Sequence, residues 1–109
     1  MYDQKEIVLV PFPYSDLSMV KKRPALIISN EKVNKSQDRI CLLITRQPHK
    51  EDVPIEKNLE EGNLQFESFI KPHRIFSIHE RVIIKKLCKV NDALYDKIVL
   101  KLNDYVKRI

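Results

Sequence analysis

The sequence predicts a small, mainly β (α+β) fold, a strongly curved and mostly antiparallel sheet with one C-terminal helix. Three observations carry that expectation. Short apolar, β-branched runs recur between turn residues from Ile7 to Leu87, and only the last stretch of the chain has helical period. The chain has 109 residues, 43% of them hydrophobic, which suits one domain over residues 1–109 with a core that needs no disulfide staple.

Taken in order, Ile7-Val8-Leu9-Val10 reads as a strand stopped by Pro11 and Pro13. Pro11 to Lys22 keeps no sustained period and reads as a loop of unusual length, a feature associated with binding. Pro24 to Ser29 and Arg39 to Thr45 are nearly continuous apolar runs, as expected of strands covered on both faces. Val53-Pro54-Ile55 suits a short edge strand, because proline has no donor for a ladder. Asn58 to Asn63 reads as a turn closed by Gly62, followed by three short extended segments, Phe66–Lys71, Arg74–His79 and Arg81–Leu87. Asn91 is then a good N-cap for a helix whose Leu94, Ile98, Leu102 and Tyr105 or Val106 share one face.

Composition excludes several kinds of chemistry. A single Gly rules out glycine-rich phosphate loops. His49, His73 and His79 lack metal-ligand spacing, Cys41 and Cys88 sit in apolar contexts typical of inert buried thiols, and no nucleophile elbow is present, so neither metal nor cofactor is expected. No apolar run is long enough to span a membrane and MYDQKE is unlike a signal peptide, which suits a cytoplasmic location. The net charge of +5 is unevenly spread: +4 over residues 1–50, −5 over 51–70 and +6 over 71–109. A basic balance fits nucleic acid but also fits mere solubility.

The basic cluster Lys21-Lys22-Arg23 precedes Pro24 at the start of the second strand. A strand-anchored guanidinium can hold two phosphate oxygens in its planar fork. Thr45 and Arg46 end the next long strand, and if the two strands are antiparallel neighbours Arg23 and Thr45 come within reach of one another. The same residues also read as a solvated charge run and a strand-ending threonine. Placement alone leaves both readings open.

The pieces EIVLVPFPYSDLS, KKRPALIIS, LLIT and SFIKPHRIFSI, in this order and at these separations, resemble the MazF/PemK-like toxins of bacterial toxin–antitoxin modules. The resemblance spans essentially the whole chain. It implies an SH3-like barrel of the MazF/CcdB type, a homodimer, and a metal-independent endoribonuclease that cuts single-stranded RNA and is neutralised by a cognate acidic antitoxin. By motif it makes Arg23 and Thr45 the catalytic pair. Tyr14 (or Phe12), Ser18, Lys21, Lys22, Arg46 and Arg74 become candidate RNA contacts, with Lys71 a further basic contribution and the acidic 51–70 segment turned away from the RNA. Two departures from relatives stand out: Ser18-Met19-Val20 where glycine is common, and His73 where an aspartate usually follows SFIKP. A CcdB-like toxin that binds a protein without catalysis, or a plain nucleic-acid-binding barrel, are the alternatives on the same fold.

Overall fold

The structure, a computed structural model, describes residues 1–13 and 20–109. The elements are β1 (Glu6–Pro13), β2 (Val20–Ile27), α1 (Glu31–Asn34), β3 (Asp38–Thr45), β4 (Val53–Pro54), β5 (Leu59–Gly62), β6 (Phe69–His79), a 3₁₀ turn over Glu80–Val82, β7 (Lys85–Val90) and α2 (Asp92–Val106). The strands form one curled antiparallel sheet in the order β4-β6-β3-β2-β1-β7-β5. Among the described residues no helix is long and apolar enough to cross a membrane.

Both faces of the central strands are covered, which accounts for their unbroken apolar sequence. On the inside of the curl Ile7, Leu26, Leu42, Ile44, Ile70 and Val90 pack with Leu94 and Ile98 of α2. On the other face Val8, Val10, Ala25, Ile27 and Cys41 form a second cluster beneath Ile83, Tyr2, Phe76 and Ile78. Period-two alternation therefore deals apolar side chains to two separate cores. Burial pushes the Cys41 thiol up to about 12 and the Cys88 thiol up to about 11, so both remain protonated and unreactive near neutral pH.

Prolines mark where strands part. β1 does not stop at Val10 but runs through Pro11 to Pro13, paired with β2 in unbroken register. Leu9 accepts from Ile84 N on the β7 side, so Pro11, two residues on, turns its donorless nitrogen the same way. Pairing with β7 has already ended at Leu9, and no ladder bond is lost there. The loop expected over Pro11–Lys22 is therefore strand at both ends, Pro11–Pro13 and Val20–Lys22, and its remaining part lies outside the described residues. Pro72 likewise lies inside β6, where the register with β3 jumps from Leu42↔Ile75 to Ile44↔Ile70 and leaves Lys71 to Arg74 as extra length. The two segments expected on either side of Pro72-His73 are one bent strand.

The middle and the end of the chain depart from expectation in other ways. Residues Leu59–Gly62 are not a turn but an edge strand on β7. Gly62 has φ +74°, and a Cβ there would lie 2.8 Å from Leu87 O and 3.0 Å from the Cys88 Cα, so glycine is required to let β5 close on β7. α1, in a polar stretch without period, is held by Asn30, whose side chain accepts from Lys32 N. Asn91 caps α2 by accepting from Leu94 N at 2.9 Å. Only Leu94 and Ile98 of its apolar positions are buried; Val106 is 68% exposed, so the helix packs through its first half.

The connection from β3 to β4 is fastened by an ion pair. The Asp52 side chain is fully buried, and its Oδ2 accepts from Lys71 Nζ and from His49 N, each at 2.8 Å. Burial pushes this carboxyl's pKa up, but the Lys71 ammonium and the His49 N–H outweigh burial and hold it below the usual carboxylate value.

Two outcomes follow from these contacts. Gly62→Ala should lose roughly 1–3 kcal/mol in urea unfolding; unchanged stability would place β5 elsewhere. Lys71→Met should lose about 3 kcal/mol near neutral pH by stranding a buried carboxylate. Because native Asp52 titrates below its unfolded value, the pair stabilises fully above that value and its contribution fades as pH falls through the native one. The difference between wild type and Lys71→Met should therefore shrink in acid. An equal difference at pH 7 and pH 3 would rule out Asp52 as the partner.

Candidate nucleic-acid interface

Arg23 and Thr45 meet across a gap that Pro24 creates. β2 and β3 pair at Ile27↔Cys41, Leu26↔Leu42 and Ala25↔Leu43, and the ladder ends there. Ile28 N donates to Ile40 O, so Leu26 and then Pro24 turn their polar edges toward β3 as well. Pro24 has no N–H to give. Continuing the register one step would set Pro24 against Ile44, and a second step would set Arg23 against Thr45. The strands instead part, and the space between them becomes a cleft.

That cleft holds two adjoining cavities. One of about 450 Å³ is lined by Leu9, Lys21, Lys22, Arg23, Pro24, Ile44, Thr45 and Arg46, with Asn63 to Phe66, Ser68, Lys85 and Leu87 on the far side. The other, about 510 Å³, is lined by Lys21, Arg23, Thr45, Arg46, Gln47, Phe66 and Glu67. Among the described residues five basic side chains and one carboxylate border the two cavities, an excess of positive charge suited to a polyanion.

The cations come from three places: Lys21, Lys22 and Arg23 from β2, Arg46 from the end of β3 and Lys85 from the start of β7. Arg23 lies opposite Val10 in the β1–β2 ladder, so its backbone is fixed while its half-buried side chain borders the cavity. Lys21 and Lys22 are exposed beside it, opposite Phe12 and Pro11. Thr45 ends β3, and its Oγ1 accepts from Gln47 N at 3.1 Å. The hydroxyl proton points toward Gln47 O at 3.4 Å, a long contact that leaves it able to turn to a better acceptor in the cleft. Arg46 follows, its guanidinium carbon 4.2 Å from the centre of the Phe66 ring.

The structure thus brings together Arg23, Thr45, Lys21, Lys22 and Arg46. Arg74 is exposed on β6 and borders neither cavity, and Lys71 is committed to Asp52. Tyr14 and Ser18 lie outside the described residues. The acidic segment is not simply turned away: its stretch from Asn63 to Ser68 forms the far wall, and Glu67 faces the cations. Phe66 and Lys85 are cleft residues that the sequence reading did not single out. The one available signal was an aromatic isolated among polar residues in NLQFES.

No curated protein matches this sequence. The fold, in contrast, is shared with solved structures of low identity. MazF in the MazE-MazF crystal structure from Deinococcus radiodurans superposes with a TM-score of 0.79 at 15% identity, covering 96% of this chain and 95% of that one. An endoribonuclease in complex with its cognate antitoxin from Mycobacterial species gives a TM-score of 0.73 at 14% identity, with both chains covered completely. The Mycobacterium tuberculosis toxin MazF-mt6 gives 0.68 at 14% identity over 89% of this chain and 93% of that one. These likenesses establish the curled sheet and terminal helix as a recurrent architecture. A family model matches residues 3–106, nearly the whole chain, and the protein belongs to the family it describes, the PemK-like, MazF-like toxins of type II toxin-antitoxin systems.

Proposed function

We propose that this protein is the toxin of a toxin–antitoxin module and acts as a metal-independent endoribonuclease on single-stranded RNA, with Arg23 and Thr45 as its catalytic residues. The observation that carries the reading is the break in the β2–β3 ladder, which sets a guanidinium and a hydroxyl across one cation-lined cleft. Family membership supplies the biological setting.

RNA brings its own nucleophile. The ribose 2′-oxygen attacks the adjacent phosphorus and loses its proton, the new 2′-O–P bond closes a 2′,3′-cyclic phosphate, and the P–O5′ bond breaks. The departing 5′-oxygen takes up a proton to become a 5′-hydroxyl. The protein's task is to align the strand and to stabilise the negative charge that builds on the non-bridging oxygens. Arg23 suits that task because its charge persists at every working pH and its fork spans two oxygens. Thr45 adds one hydrogen-bond donor from the opposite wall. A guanidinium is a poor proton acceptor, so its contribution is electrostatic.

Lys21, Lys22, Arg46 and Lys85 extend the positive surface along which flanking phosphates would lie. The same surface suits the acidic segment of an antitoxin, and the structures of relatives with their antitoxins support that pairing. A homodimer is part of the same reading.

The purified protein, given a long unstructured RNA in EDTA, should release discrete fragments with 5′-hydroxyl ends. Arg23→Ala should slow cleavage by on the order of 10²–10³-fold, the cost of removing one preorganised charge stabiliser. Intact RNA with wild type, or equal cleavage by wild type and Arg23→Ala, would overturn the assignment. Tight, salt-sensitive binding without cleavage would favour a binding barrel, and growth arrest that persists in Arg23→Ala with stable cellular RNA would favour a toxin directed at a protein.

A further inference from the structure

Phe66 is more than half exposed, at 53%, although it is one of the larger apolar side chains of the molecule. Among the described residues it is also the one aromatic that borders three adjoining cavities: the two that contain Arg23 and Thr45, and a third of about 440 Å³. That third cavity holds neither Arg23 nor Thr45. Its lining includes Asn63 and Gln65, which also border the first cavity and whose amides both donate and accept, together with Glu56 and Lys57. The ring therefore stands on the divide between a cationic cleft and a polar pocket. Arg46 covers it at 4.2 Å, within cation–π range, and a guanidinium plane stacks on bases as readily as on phenylalanine.

We infer that Phe66 is the stacking platform for one base of the substrate strand, and that the pocket beyond it, through Asn63 and Gln65, reads that base. The inference rests on the proposed RNA-cleaving role of the cleft. Its logic is spatial: a phosphate held between Arg23 and Thr45 leaves a neighbouring nucleotide beside the far wall. A base unstacked from its neighbours there needs an apolar face to replace the one it lost. Phe66 offers that face, and the amides of Asn63 and Gln65 can each give and accept a hydrogen bond at a base edge. Stacking tolerates any base, so affinity belongs to Phe66 and discrimination to the amides.

The test uses a pool of short 2′-O-methyl RNAs of random sequence containing 2-aminopurine, which bind but have no free 2′-hydroxyl for attack, together with sequencing of the 5′-hydroxyl ends produced from unmodified transcripts. Wild type should quench 2-aminopurine fluorescence. Phe66→Leu should lose most of that quenching and bind roughly 5- to 100-fold more weakly, while Phe66→Trp should retain both. Asn63→Ala with Gln65→Ala should keep the quenching but blur the sequence preference at one position beside the cut. Quenching and affinity unchanged in Phe66→Leu would overturn the platform, and an unaltered cleavage pattern in the amide variant would overturn the reading role. Should wild type bind the pool with quenching that Phe66→Leu abolishes yet cut nothing, the platform stands and the nuclease reading falls. A wild type that neither binds nor cuts RNA overturns both.

Discussion

The cleft depends on one missing hydrogen-bond donor. β2 and β3 are strands of matching register, and a residue with an N–H at position 24 could extend their ladder. Arg23 and Thr45 would then be a directly opposed cross-strand pair with no space between them. Proline removes the donor on the edge that faces β3 and leaves the β1 side of the strand intact, since Pro24 lies opposite Leu9 at a position whose polar edge points away from β1. The guanidinium is thus carried on a backbone that stays bonded to β1 while its other edge is open. A rigid support and an accessible charge are usually in conflict within a sheet. Here a single imino acid reconciles them.

Charge is partitioned by the same topology. Most acidic side chains of the 51–70 segment are matched by lysines from outside it: Glu60 with Lys5 and Lys89, Glu61 with Lys86, Glu51 with Lys101, and Asp52 with Lys71. The exposed pairs add little to stability. Their effect is on the field, because they neutralise part of the basic charge of the C-terminal third locally, while Lys21, Lys22 and Arg46 border the cleft together with Glu67, the one lining carboxylate among the described residues. A net charge of +5 that looks diffuse along the sequence is therefore concentrated at one opening. The edge strand β5, held by its pairing with β7 and by the close approach at Gly62, is what carries the chain on to the far wall.

What was legible in the sequence follows from locality. The apolar part of β2 from Pro24 to Ile27, the strand Arg39–Thr45, the Asn91 cap and the neighbouring of Arg23 and Thr45 all rest on period, capping chemistry and antiparallel order, which short windows contain, whereas the start of β2 at Val20 and its end before Ile28 were not read. The bent β6 was not legible, because Pro72 breaks the local signal and only the bulge against β3 makes it tolerable. β5 was hidden in the same way: Leu59 to Gly62 has the composition of a turn and becomes a strand only by pairing with β7. Phe66 escaped notice because its importance lies in which cavities it borders, and no property of its sequence neighbours encodes that. The exposed end of α2 shows the reverse error. Tyr105 and Val106 keep helical spacing beyond the point where the sheet can cover them.

Electrostatic stabilisation alone is an incomplete account of cleavage in such a cleft. One donor or one guanidinium is worth on the order of 10²–10³ in rate, and two together leave much of a typical enzymatic acceleration to be supplied by geometry. In-line attack requires the 2′-oxygen, the phosphorus and the departing 5′-oxygen to be nearly collinear, an arrangement that a stacked strand does not hold. The strand has to be splayed at the reacting phosphate, and a splayed base that is merely released into water gains nothing from the protein. A wall that grips the base converts the loss of stacking into a fixed orientation. On the proposed reading, an exposed aromatic ring across the cleft from Arg23 and Thr45 would serve that conversion and would link sequence preference to rate, since the base that seats best on the far wall would also align its own phosphate for attack.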